Sequence, residues 1–410
     1  MVFQAEIGDK GDEKGRHAAV KIVVIPLLYF DHNATTPIAP EVAEVLTKAL
    51  REVFGNASSS HRAGQDARKH LEQSRLSVAK ALNCTAQELV FTSGGTESNN
   101  LALLGIVRNT SAGSKHVVTT AIEHPAVLAP MQELAREGCV VTVAGPSTEQ
   151  ISAAIRADTV MVSVMHANNE SGSIQELREI AQLVTRRRAA GQPIYLHSDG
   201  VQAFGKIPVD VDELGVDLYS ISAHKIYGPK GVGALYVRKG TPLDPIQFGG
   251  RHERGRRPGT ENVPGTMAFA SACELLPQYP SDGLAILRDR FERTLLESFD
   301  DIAINGRSAK RIPNTSNISF RGLSAEALLI ALDIAGFAVS TGSACSSGSI
   351  EPSHVLLAMG CTTDEARSSV RFSFGRGNSV EDVDRLAKAV VQAVGRLRKT
   401  RDRRLQLAVH

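Results

Sequence analysis

The chain is most easily bounded by what it lacks. Its 410 residues hold five cysteines (Cys84, Cys139, Cys273, Cys345 and Cys361), and no two form a C-x-x-C pair. An odd, scattered set excludes a disulfide framework and argues against a zinc or iron–sulfur site built by one chain. It fits a reducing cytoplasm. No excess of one charge is present: 46 Lys and Arg face 44 Asp and Glu, for a net charge of +2. No basic field therefore points to nucleic acid. Long apolar runs are missing too. The stretch from Ile22 to Phe30 is interrupted by Pro26 and is too short to span a bilayer. Internal repeats and low-complexity tracts are absent.

What is present is an ordinary globular composition, 42% hydrophobic, enough for a full core. The length suits two or three domains of roughly 150 residues. Residues 1 to about 20 are polar and charged, and read as a poorly ordered extension. Residues 21–36 read as an N-terminal segment packed on a small domain. From 37 to 280, short apolar runs alternate with amphipathic stretches. The runs Leu89–Thr92, His116–Thr120, Val140–Ala144, Thr159–Met165, Ile194–Ser198, Asp217–Ser222 and Gly233–Val237 mostly lack polar alternation. That is expected of strands buried on both faces. Between them, segments such as 63–82, 126–137 and 176–189 predict helices. The order predicts an α/β fold with a mostly parallel seven-stranded sheet. From 281 to 410 the rhythm changes to a smaller α+β domain ending in a helix with a basic tail, Arg396 to Arg404.

Chemistry-bearing residues fall where predicted strands end, the edge at which open parallel sheets bind ligands. After Leu89–Thr92 comes Ser93-Gly94-Gly95-Thr96-Glu97-Ser98-Asn99-Asn100. Two glycines followed by a helix start suit an anion, although the same pattern makes a simple N-cap turn. Ile194–Ser198 ends in Asp199, with Gln202 three residues on. A carboxylate there can hold a ring nitrogen protonated or merely cap a helix. Asp217–Ser222 ends in Ser222-Ala223-His224-Lys225, and a lysine so anchored is a Schiff-base candidate or a surface lysine. Gly228-Pro229-Lys230-Gly231 lacks the spacing of a Walker loop. Cys345 lies in Ser340-Thr341-Gly342-Ser343-Ala344-Cys345-Ser346-Ser347-Gly348-Ser349. A thiol among small polar residues can reach partners and ionise, unlike a core cysteine.

These residues, in this order, resemble the cysteine desulfurases that supply sulfur for iron–sulfur clusters. The match runs from about Leu28 to the last helix. It rests on Tyr29-Phe30-Asp31-His32-Asn33-Ala34-Thr35-Thr36-Pro37, the 93–100 segment, Glu123-His124, His166-Ala167-Asn168-Asn169-Glu170, His224 to Gly231, Arg254 to Asn262 and Gly342-Ser343-Ala344-Cys345. The resemblance implies the aspartate-aminotransferase-type fold and a pyridoxal 5'-phosphate cofactor. It implies that Lys225 binds the cofactor, and that His124 stacks on its ring, assists proton transfer and is the candidate base for the thiol. Asp199 would meet the pyridine nitrogen and Gln202 the phenolic oxygen. Gly95, Thr96, Ser222 and His224 would hold the phosphate, joined by Thr260 from the second subunit of a homodimer. Asn169 and Arg371 would hold the carboxylate of L-cysteine. Cys345 would take the sulfur as a persulfide, release L-alanine and pass the sulfur to a scaffold protein or another acceptor. No metal is implied. The chain departs from the commoner pattern at Gly200, where Ala is usual, and at Ala223, Ala57 and Pro258. Two rivals stand beside this reading: another enzyme of the same fold, such as an aminotransferase or selenocysteine lyase, and a non-catalytic relative that only binds assembly partners.

Overall fold

The computed structural model describes residues 2–7, 20–25, 27–111, 113–279, 281–341 and 351–408. Its centre is a seven-stranded sheet. The strand order is Leu89–Thr92, Gly233–Val237, Leu218–Ser222, Tyr195–Asp199, Thr159–Ser163, His116–Thr120, Val140–Ala144. Six of these strands run in one direction, whereas Gly233–Val237 is antiparallel to both of its neighbours. His116–Thr120, Thr159–Ser163, Leu218–Ser222 and Gly233–Val237 are buried along their whole length, which explains their unalternating sequences.

Helices cover both faces. Arg62–Ala81 and Val263–Glu274 pack on one side, in a core with Leu71, Val78, Tyr219 and Phe269. Gly95–Asn109 and Pro125–Arg136 pack on the other, with Leu101, Ile106, Val127 and Leu134. Pro125 opens the latter helix, where its missing N–H costs nothing and its fixed φ suits the turn.

A second hydrophobic core joins Phe291, Phe320, Phe372 and Phe374 with Phe30 from the other end of the chain. It is built on the antiparallel sheet Ile302–Ile304, Thr315–Phe320, Ser369–Ser373, with helices Asp282–Ser298, Ala325–Ile334 and Val380–Ala408 against it. Leu28–Tyr29 pairs in parallel with Phe337–Ala338. Val2–Ile7, in the stretch expected to be a poorly ordered extension, and Val20–Ile25, almost wholly in the segment read as packing on the small domain, form an antiparallel ladder. The β-branched run Val20-Lys21-Ile22-Val23-Val24-Ile25 supplies the strand-forming residues.

Strand ends place the chemistry. Thr92, Thr120, Ser163, Asp199 and Ser222 close their strands at the same edge of the sheet. At that edge Gly233 stands opposite both Thr92 and Ser222. A Cβ on Gly233 would lie 2.6 Å from the Cα of Gly94, so a side chain there would push away the loop that opens Gly95–Asn109.

Candidate functional site

Nine of the residues singled out from the sequence converge on one cavity of about 240 Å³. Gly95, Thr96, His124, Asn169, Asp199, Gln202, Ser222, His224 and Lys225 line it, together with Ala34, Asn99, Met165 and Ala167. A larger cavity of about 430 Å³ adjoins it, and Lys225 lines both.

Lys225 sits in the turn Ala223–Lys225 that follows Leu218–Ser222. Its Nζ donates to the carbonyl of Asn33 at 2.5 Å and of Ala34 at 2.8 Å. Asp199 is buried at the end of its strand. Its Oδ2 accepts from Asn99 Nδ2 at 2.7 Å and its Oδ1 from the Val201 N–H at 3.0 Å. Gln202 donates through Nε2 to the Asn33 carbonyl at 2.9 Å and accepts at Oε1 from Lys206 Nζ at 2.5 Å. Asn33 was part of the sequence motif with no role attached, and Lys206 was not singled out. Both belong to the site because the fold brings them to Lys225.

His124 caps Pro125–Arg136, its Nδ1 accepting the Ala126 N–H at 3.0 Å. Burial holds this imidazole below the ordinary histidine range, and Asp199 offsets part of that effect. With the Nδ1 lone pair engaged, the ring proton resides on Nε2. In this geometry His124 offers a proton at Nε2. His224 pairs through Nδ1 with Thr35 Oγ1 at 3.1 Å. Burial, with Lys225 nearby, lowers its pKa to about 4.

Arg371, 3% exposed, adjoins the cavity without lining it. Its Nη2 meets Asp31 Oδ1 at 2.6 Å and its Nη1 the Asn169 carbonyl at 2.9 Å, while Nε has no partner among the described residues. Sequence reasoning missed Asp31, which lies 340 positions away. Thr260 is exposed and apart from the cavity, on the loop that follows Glu253–Gly255. Cys345 lies outside the described residues. Of the other four cysteines, all free, Cys273 is buried in the core, and burial raises its thiol far above the ordinary range. Among the described residues no group of three or more acidic, histidine or cysteine side chains is placed to hold a metal ion. No helix there is long and apolar enough to cross a membrane.

The donor set fits a phosphorylated, nitrogen-containing aromatic ring. Ser222 Oγ is buried at the cavity wall, without a partner among the described residues. The first turn of Gly95–Asn109 faces the same wall through Gly95 and Thr96, presenting unpaired backbone N–H groups to an anion. Asp199 supplies a carboxylate and Lys225 an amine to the same cavity.

The comparisons agree with this geometry. The family model for aminotransferase class-V matches residues 28–386. A cysteine desulfurase IscS of Dictyoglomus turgidum is 43% identical over 380 residues, covering 90% of this chain and 95% of its own. A cysteine desulfurase IscS of an Anaeromyxobacter species is 44% identical over 384 residues, covering 91% and 93%. Among solved structures, a NifS-like protein superposes with a TM-score of 0.83 at 35% identity, covering 90% of this chain and all of that one. The structure described as SspA in complex with cysteine superposes with a TM-score of 0.74 at 33% identity, covering 84% and 98%.

Proposed function

This chain belongs to the cysteine desulfurases of the class-V aminotransferase family, and from that premise we propose how its residues divide the reaction. The enzyme removes sulfur from L-cysteine, releases L-alanine and carries the sulfur as a persulfide on Cys345. The convergence of nine sequence-predicted residues on one cavity at the strand ends carries this reading.

Pyridoxal phosphate, when bound, supplies an electron sink for a carbanion at the substrate Cα. Ser222, His224, Gly95 and Thr96 bind its phosphate, and Asp199 keeps its ring nitrogen protonated. Asn99 and the Val201 N–H fix both oxygens of that carboxylate, so it cannot swing away. Gln202 would hold the phenolic oxygen, Lys225 would bind the cofactor covalently and move the substrate Cα proton, and His124 would pack against the ring and offer a proton from Nε2. Arg371 and Asn169 bind the substrate carboxylate, since the planar guanidinium suits bidentate recognition.

Cys345 attacks the substrate sulfur as thiolate. The new S–S bond forms as the C–S bond breaks. The electron pair of that bond passes to the carbon skeleton, which is protonated and leaves as alanine. The thiol's reference pKa of about 8.5 leaves a few per cent ionised at neutral pH, so the site must favour thiolate. Cys345 then hands its sulfur to an iron–sulfur scaffold or another acceptor. We place Thr260 at the phosphate of a second copy in a homodimer, and the enzyme in the cytoplasm, where free thiols persist.

The test is to add L-cysteine and a reductant to the purified protein and measure sulfide and alanine, with Cys345→Ser alongside. Equal amounts of both products, lost in the variant while a lysine-bound chromophore remains, support the reading. Undiminished sulfide from Cys345→Ser, or no product from a chain that holds cofactor, overturns it.

A further inference from the structure

Lys206 is a buried amine that the reaction above does not use. It is 7% exposed, a setting in which lysine is rarely found without a counter-charge. Its Nζ meets two neutral amide oxygens, Asn33 Oδ1 at 2.9 Å and Gln202 Oε1 at 2.5 Å. Among the described residues no salt bridge to it is present. The charged or titratable groups that act on it or respond to it are Lys225, Arg371, His32 and His224. Asp31 is engaged by Arg371.

Asn33 joins the two lysines. Its carbonyl receives Lys225 Nζ and Gln202 Nε2, and its Oδ1 receives Lys206 Nζ and Asn314 Nδ2. Its own Nδ2 donates to the Asn169 carbonyl at 3.1 Å and to Thr315 Oγ1 at 2.8 Å. An ammonium only donates. Lys206 therefore forces Gln202 Oε1 towards itself and sends Gln202 Nε2 to the carbonyl on which Lys225 rests.

We propose that Lys206 is a positioning residue for Lys225, locking Asn33 and Gln202 into the cradle beneath the reactive nitrogen. This rests on Lys225 being the cofactor lysine. A second consequence follows from the same network. Two amines joined through one asparagine compete for protons, and like charge disfavours the charged form. Burial, then the Lys225 and Arg371 charges, push the Lys206 amine well below the lysine range. While it carries its proton, Lys206 opposes a second positive charge across Asn33 and so favours Lys225 as the neutral amine, the form that condenses with a carbonyl.

The experiment uses the full chain with Lys206→Met, and Lys206→Gln as a second variant should the first not fold. Cofactor-loaded protein is reduced with borohydride and the modified lysine mapped by mass spectrometry. Cofactor-free protein is labelled with an amine-directed reagent across pH, and the midpoint for the Lys225 peptide is read. Thermal unfolding is recorded in parallel. The expected result is cofactor still on Lys225, a Lys225 midpoint raised by roughly one pH unit and a melting temperature at or above that of the parent. Removing an unpaired buried charge does not by itself destabilise a fold. An unmoved midpoint with a lowered melting temperature makes Lys206 a structural residue only and overturns the proposal. Cofactor mapped to another lysine in the parent overturns the assignment of Lys225 itself, which separates the two failures.

Discussion

Gly200 lies against the ring of Tyr219: a Cβ at position 200 would stand 2.0 Å from Cζ and 2.4 Å from the hydroxyl oxygen. The Tyr219 hydroxyl pairs with His166 Nδ1 at 2.7 Å, and the His166 N–H donates to the Asp199 carbonyl at 2.9 Å. Gly200 thus leaves room for a fully buried tyrosine behind Asp199. Gly200→Ala should cost about 1–3 kcal/mol by overpacking and weaken cofactor retention. Adding Tyr219→Leu should restore much of the loss. Denaturant midpoints of both variants measure this, and independent, additive effects would refute the coupling.

Arg75 and Glu253 form a bidentate pair at 2.7 Å through each nitrogen, both side chains almost fully buried. Glu253 also accepts the Phe91 N–H, tying the loop that leads to Thr260 onto the first strand of the central sheet. Glu253→Ala leaves the buried Arg75 guanidinium with only Glu72 at 3.4 Å and the Leu89 carbonyl at 3.2 Å and should cost about 3–5 kcal/mol. The double change Arg75→Met with Glu253→Leu should cost much less. Urea unfolding of the three proteins decides it, and an equal loss in both variants would contradict the account.

His197 is fully buried between Ser163 Oγ at 2.8 Å and Ser220 Oγ at 3.1 Å, and burial lowers its pKa from 6.5 to about 3. The unfolded chain takes up a proton on this ring near pH 6.5, and the folded chain does not until about pH 3. Its contribution to stability is therefore complete above pH 6.5 and lost progressively as pH falls through that window. By pH 5 the loss from this ring amounts to about 2 kcal/mol. Unfolding free energies at pH 7 and pH 5 should show a gap that His197→Gln narrows. A gap of the same size in the variant would assign the acid sensitivity elsewhere.

The last helix runs on past the small domain's core. Leu397 packs at the edge of that core, and Arg398 reaches Asp301 at 2.6 Å and the ring of Phe299. Beyond them the helix is rich in arginine up to Arg404. Removing residues 399–410 should leave turnover of free cysteine unchanged and reduce sulfur transfer to a scaffold protein. Transfer of labelled sulfur measures the second effect, and undiminished transfer would exclude docking at this tail.

Most of the sheet was legible because its strands are buried on both faces and read as unbroken apolar runs. The bounds of His116–Thr120 and Gly233–Val237 follow from that alone. The reversed direction of Gly233–Val237 does not, since strand direction is a property of pairing. Val263–Glu274 escaped notice because a helix built of small apolar residues and buried almost all round has no polar face to mark its period. Within the site, the strand-end residues carried local signals: a Gly-Gly turn, an Asp and a His-Lys pair. Asn33 and Lys206 carried none. Their meaning depends on Lys225 and Gln202 sharing one carbonyl across 192 and 169 positions of chain, a relation only tertiary structure creates.

Leu28–Tyr29 finds its strand partner at Phe337–Ala338, and His32 and Asn33 are held by Ser373. The cradle under Lys225 is therefore built from the beginning of the chain but fastened by its end. On a ribosome, the central sheet and Lys225 emerge well before Ser373 does. Closing so long a loop is a late, slow event. The Lys225 amine consequently gains its final support only once Ser373 has emerged, so a chain cut before Ser373 would have the lysine without its seat.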